Sequence, residues 1–181
     1  MPPVLEHHQF VAKVLSCDAC RLRLSRTHPA ICRGPQSAPL MILGEAPGVE
    51  DDQRGLPFVG PSGLLLSHAL LHAEIPEDQV YICNLVKCKP PRHQMPTKEE
   101  IRSCHPWLLH QIITVQPRAI VTVGRTATAT LTGQRKVWAE DEVLVCSFDE
   151  RTPVYPIWGA ERPNHRVDVE QLRRAWREAT T

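Results

Sequence analysis

The chain has 181 residues, with 21 Lys plus Arg against 20 Asp plus Glu and a formal net charge of +1. That balance excludes a strongly basic tail as the means of holding nucleic acid, though not a local basic patch. Hydrophobic residues make up 42% and charged residues 23%, ordinary for a globular domain, and no apolar run approaches the ~20 residues a membrane span needs.

Leu5 to Ser16 reads as a short amphipathic helix, with Phe10, Val11, Val14 and Leu15 on one side. Pro39 to Gly44 is an apolar run closed by glycine, the pattern of a buried parallel strand. Glu45 to Gly60 reads as a loop rich in Gly, Pro and acid, and Ser62 to about Ala73 as a helix. Val80 to Val86 is a second strand, followed by a Pro-rich loop from Lys87 to Pro96. Thr97 with Glu100 three residues on is a capping box, opening a helix to about Val115. Ala119 to Val123 is a third strand, and Thr126 to Leu131 a short helix. Val143 to Phe148 and Pro153 to Trp158 look like later strands, and Asp168 is placed to cap a last helix through Ala179.

Strands alternating with helices predict an α/β class. The expected architecture is one domain over residues 1–181, an α/β/α sandwich with a central, mainly parallel sheet of about four strands. Ligands of such folds bind beyond the carboxyl ends of the strands, so the Glu45 loop and the segment from Asn84 should line one crevice.

The first residues, Met1-Pro2-Pro3-Val4-Leu5-Glu6, lack the basic and apolar regions of a signal peptide. The expectation is a cytoplasmic protein without a membrane partner. Seven cysteines are then too many for disulfides, since that compartment keeps thiols reduced. Cys17 and Cys20 form a C-x-x-C pair, and Cys88 and Cys104 can complete a set of four thiolates, suited to zinc or to a [4Fe-4S] cluster. Cys32 is the main competitor as a ligand. Cys83 and Cys146 sit in strand-like runs and read as core residues.

Gly44-Glu45-Ala46-Pro47-Gly48, then Gly55-Leu56-Pro57-Phe58-Val59-Gly60 and Gly63-Leu64-Leu65, closely resemble the first motif of family 4 uracil-DNA glycosylases. Val80-Tyr81-Ile82-Cys83-Asn84-Leu85-Val86-Lys87-Cys88-Lys89-Pro90-Pro91 is similar to the family's second strand. Pro96-Thr97-Lys98-Glu99-Glu100-Ile101 with Cys104, and the opening Cys17-Asp18-Ala19-Cys20, also fit, in order, over roughly residues 10 to 132. The resemblance implies a [4Fe-4S] cluster held by Cys17, Cys20, Cys88 and Cys104, structural rather than redox-active. It also implies a monomeric DNA glycosylase of base excision repair, acting on DNA that contains uracil or a related modified base.

The resemblance implies a base-binding set of Glu45, Ala46, Phe58 and Asn84. Extracting a base from the stack requires a flat apolar face to receive it, here Phe58. An amide reads the pyrimidine edge, and Asn84 can donate to a carbonyl while accepting from a ring N–H. Cleaving the N-glycosidic bond builds positive charge on the sugar, which a carboxylate stabilises while orienting water. Glu45 stands at the family's position for that task, and Asp51 is a second catalytic candidate. Backbone N–H groups near Ser62 suit a DNA phosphate, and Lys87, Lys89, Arg92 and Lys98 form a basic cluster beside the crevice.

The family pattern breaks at its last motif. After Val154-Tyr155-Pro156-Ile157-Trp158 the family's His-Pro-Ser type motif is absent, and Gly159 stands where the histidine is expected. That histidine donates to the departing base, and losing such a donor costs on the order of a hundredfold in rate. His165 and Arg162 are candidate substitutes in the same loop. His93, in the loop before Pro96, is a third, since related covalent uracil-binding proteins place a nucleophilic His near that point. Two alternatives follow: a non-catalytic or covalent DNA-binding member of the superfamily, or a glycosylase for a base that departs more easily.

Overall fold

The computed structural model describes residues 5–134, 144–157 and 165–181. The elements run in the order α1 (His7–Leu15), β1 (Leu40–Gly44), α2 (Val49–Arg54), α3 (Pro61–His72), β2 (Val80–Asn84), α4 (Lys98–Val115), β3 (Ala119–Val123), α5 (Arg125–Thr132), β4 (Leu144–Val145), β5 (Pro153–Ile157) and α6 (His165–Thr180). One sheet has the order β2-β1-β3-β5-β4. The first four strands pair in parallel, and β4 runs antiparallel against β5 at the edge. The sheet therefore has five described strands where about four were expected, and of the segment read as a strand from Val143 to Phe148 only Leu144–Val145 forms this two-residue edge.

Strand side chains alternate between faces, and the core divides accordingly. Met41, Leu43, Tyr81, Cys83 and Ile120 pack against Leu108, Ile112 and Val115 of α4 and Ala127 and Leu131 of α5. Leu40, Ile42, Val80, Ile82 and Val121 pack against Leu66 and Leu70 of α3 and Leu172, Ala175 and Ala179 of α6. Helices thus cover both faces, which is why β1 and β2 are buried along their whole length and carry apolar residues at successive positions, up to Asn84 at the end of β2. Cys83 and Cys146 are fully buried in the first of these clusters, as expected of them.

Three elements differ from the sequence expectation. Part of the Glu45–Gly60 stretch is helical, because Asp51 in the first turn of α2 accepts from Gly48 N at its start, and Gly55, at φ 68°, ends it in the left-handed conformation. The Val80 strand stops at Asn84, four residues before Cys88, so the chain turns there toward the thiols. Helix α6 starts at His165, so Asp168 lies in its first turn, where acidic residues are favoured, and is not its cap.

Candidate active site

Parallel pairing places Gly44 directly beside Asn84 at the carboxyl ends of β1 and β2. A cavity of about 560 Å3 opens there, bounded by Glu45, Ala46, Phe58, Asn84, Ser62 and the Gly124–Thr126 turn after β3. The two segments expected to share a crevice do share it, together with a third strand end.

Asn84 is 1% exposed, and among the described residues neither Nδ2 nor Oδ1 has a hydrogen-bond partner. A buried amide without partners costs on the order of 1–3 kcal/mol, which is the expected state of a group kept for a ligand. Phe58 stands across Gly44 from it. A Cβ at position 44 would lie 2.6 Å from both Cε2 and Cζ of the Phe58 ring and would overlap Asn84 Oδ1. Only glycine lets the two side chains flank the strand end so closely.

Phe58 has φ 55°, an uncommon conformation for a residue with a side chain. Two features hold it. Asp51 accepts from Val59 N at 2.8 Å and from Gly48 N at 3.1 Å. Gly63, in the first turn of α3, packs so tightly under Phe58 that a Cβ there would overlap the Phe58 carbonyl. Asp51 is thus 7% exposed with both oxygens committed to backbone N–H groups, whereas Glu45 is only partly buried at the cavity wall. Both carboxylates line the cavity, but the oxygens of Asp51 are spent on the loop backbone.

The expected basic cluster is not continuous. Lys89 is half-buried and Arg92 and Lys98 are exposed, but Lys87 is 1% exposed. Its ammonium turns inward and donates to the Asn84 carbonyl oxygen at 2.6 Å. Position in a run of basic residues gave no sign of this; the burial follows from the turn after Asn84. Gly159 and Arg162 lie outside the described residues. His93 belongs to the Pro91–His93 turn, and His165 begins α6 rather than lying in a loop. Met95, Glu50 and Arg125 also border the cavity and were not anticipated; the glycine closing β3 was the available signal for Arg125.

Cys17, Cys20, Cys88 and Cys104 line a second, small cavity with Arg26, Lys87 and Trp107. Local chemistry brings them there. The α4 capping box holds Glu100 (Thr97 N to Glu100 Oε2, 2.7 Å), and Arg21 Nε donates to Glu100 Oε1 at 2.7 Å, pinning the Cys17–Cys20 turn to the helix that carries Cys104. Three of the sulfurs accept hydrogen bonds: Cys88 from Arg26 Nη1 at 3.1 Å, Cys104 from Lys87 N at 3.3 Å and Cys17 from Trp107 Nε1 at 3.4 Å. Burial pushes the Cys104 thiol up to about 11, with Lys87 acting in the opposite sense. Burial also raises Cys88, partly offset by Arg26. Cys32 does not join them: it packs between Phe10 and Ile31 on one side and the sheet core on the other. Among the described residues no three ligating side chains stand close enough for a single metal ion. An all-thiol donor set with N–H groups aimed at its sulfurs nonetheless matches the surroundings of an iron–sulfur cluster.

The family model of the uracil DNA glycosylase superfamily matches residues 32–179. The type-4 uracil-DNA glycosylase of Thermotoga maritima is 42% identical over 174 residues, covering 90% of this chain and 89% of that protein. The type-4 enzyme of Sulfurisphaera tokodaii is 34% identical over 174 residues, covering 88% and 78%. That of Archaeoglobus fulgidus is 38% identical over 118 residues, covering 65% and 59%. With the family's motifs at one strand-end cavity and this likeness along most of its length, the chain belongs to the uracil-DNA glycosylase superfamily, among its type-4 members.

Proposed function

We propose that the protein is a DNA glycosylase that removes uracil from DNA by hydrolysing its N-glycosidic bond, in base excision repair. The observation carrying this reading is the unpartnered Asn84 amide opposite the Phe58 ring. A flipped uracil lies against Phe58, while Asn84 Nδ2 donates to a base carbonyl and Oδ1 accepts from the ring N–H. Glu45 stabilises the positive charge that develops on the sugar and orients the attacking water. Ala46 completes the floor of the pocket, and the first turn of α3 at Ser62 offers backbone N–H groups to a phosphate.

The four cysteines are assigned to a [4Fe-4S] cluster. A four-iron cube holds its thiolates further apart than one ion does, in keeping with a set that converges on a cavity without closing on a point. When bound, the cluster cross-links the Cys17–Cys20 turn, the Cys88 loop and α4. Catalysis rests on the chain's own groups. The protein is expected to act as a monomer on DNA in the cytoplasm; among the described residues no helix is long and apolar enough to cross a membrane.

The test is a gel assay on a uracil-containing oligonucleotide at enzyme excess, beside a panel of other deaminated and oxidised bases. Alkali-labile abasic product from uracil, formed on the order of a hundredfold more slowly by Asn84→Ala, is the expected result. Binding of the oligonucleotide without product, unchanged in Glu45→Ala, would instead support a non-catalytic member.

A further inference from the structure

Lys87 is among the largest fully buried side chains of the protein. A buried ammonium is costly unless paired and hydrogen-bonded. Among the described residues no carboxylate pairs with it, and its Nζ donates to the main-chain carbonyl of Asn84 at 2.6 Å, a short, charge-assisted bond. The same residue touches the thiol site, for its backbone N–H donates to Cys104 Sγ and it borders the cavity that the four cysteines line. Its carbonyl oxygen is also taken, by Ala30 N at 2.7 Å. Three polar groups of one residue are therefore fixed, one on the base pocket and one on a cysteine.

The Asn84 side chain has no such anchor. Its amide makes no hydrogen bond, so its direction depends on the backbone from which it springs and on the packing of Phe58 beyond Gly44. A carbonyl held by a buried cation cannot rotate freely about the Asn84–Leu85 peptide. In an occupied site the Cys104 thiolate, which accepts from Lys87 N, would add negative charge to the surroundings of this residue, a counterpart that no carboxylate among the described residues provides.

We propose that Lys87 is a positioning residue which ties the four-cysteine site to the base-reading amide, its N–H held by Cys104 and its ammonium holding the Asn84 carbonyl. This rests on the proposed roles of Asn84 and of the cysteines. The metal site then acts on uracil recognition through one side chain, without taking part in the chemistry.

A double-mutant cycle on the full-length, iron-loaded protein tests it, using Lys87→Met, Asn84→Ala and the two combined, with single-turnover excision as the rate. Lys87→Met should retain its iron, its visible absorption and its affinity for undamaged duplex. It should bind free uracil about tenfold more weakly and excise about tenfold more slowly, the scale of one hydrogen bond to a charged group. In the Asn84→Ala background the same change should have no further effect, because the amide it orients is gone. Equal losses in both backgrounds, or unaltered uracil affinity in Lys87→Met, would overturn the proposal. Lys87→Gln, smaller and polar, is read in the same cycle if Lys87→Met does not fold. Wild-type protein that neither binds nor excises uracil would sink the underlying function instead, so the two failures are told apart.

Discussion

Phe58 and Asn84 converge on the α-carbon of Gly44, where there is no room for an additional carbon. Gly44→Ala should therefore damage the pocket more than the fold. The new methyl must displace the ring or the amide, at about 1–3 kcal/mol of overpacking. We expect single-turnover excision to fall by about a hundredfold or more, the scale of losing one well-placed donor. The midpoint of thermal unfolding should move by only a few degrees. A variant with wild-type rate would show that the base does not lie between these two side chains.

Asn84 makes an opposite prediction for stability. Its buried amide is unsatisfied in the free protein, so removing it relieves a desolvation cost while leaving a small cavity. Asn84→Ala should melt at or above the wild-type temperature while excising on the order of a hundredfold more slowly. Product uracil should raise the melting temperature of the wild type and leave that of the variant where it was. A variant that melts far below wild type would place the amide among the structural groups and not the functional ones.

The two carboxylates of the first motif separate by the same logic. Asp51 braces the strained Phe58 turn through the N–H groups of Gly48 and Val59, so Asp51→Ala should lose about 1–3 kcal/mol of stability together with activity. Glu45→Gln keeps the shape of the cavity wall and should lose rate with a smaller fall in melting temperature than Asp51→Ala. Urea unfolding beside single-turnover assays checks both. Equal destabilisation of the two variants would contradict this division.

How much of this was legible in the sequence differs from residue to residue. The α4 capping box was readable because both partners, Thr97 and Glu100, lie within one helical turn. The strand ends at Gly44 and Val123 were readable because apolar runs buried on both faces have sharp limits, whereas the end at Asn84 was not, since Leu85 and Val86 carry the apolar run past it. The inward turn of Lys87 was not, since a lysine in a basic run normally points to water and its burial depends on a contact across three-dimensional space. Likewise Asp51 and Glu45 are equivalent as acids in a loop. Only the short helix α2, flanked by glycines and a proline, commits the oxygens of Asp51 to the backbone N–H groups of Gly48 and Val59. Arg26 and Trp107 lie far from the cysteines they contact in sequence terms, and nothing in their spacing announces it.

Glu100 links that local cap to long-range assembly, and its titration should be visible. Burial alone would raise its pKa, but the hydrogen bond from Arg21 and those with Thr97 outweigh burial and hold it below the ordinary 4.5. A carboxyl whose pKa is lowered by folding adds stability that is fully present above the unfolded value and lost as pH falls through the folded one. Stability of the iron-loaded protein should thus decline below about pH 4.5 partly through this group. Glu100→Gln cannot titrate and loses its ion pair with Arg21, so it should be less stable at pH 7 and its stability should fall less steeply with acid. Urea midpoints measured from pH 7 down to pH 4, at constant ionic strength, report the difference. Parallel curves for the two proteins would mean that the Arg21–Glu100 contact does not hold the cysteine turn to α4 in solution.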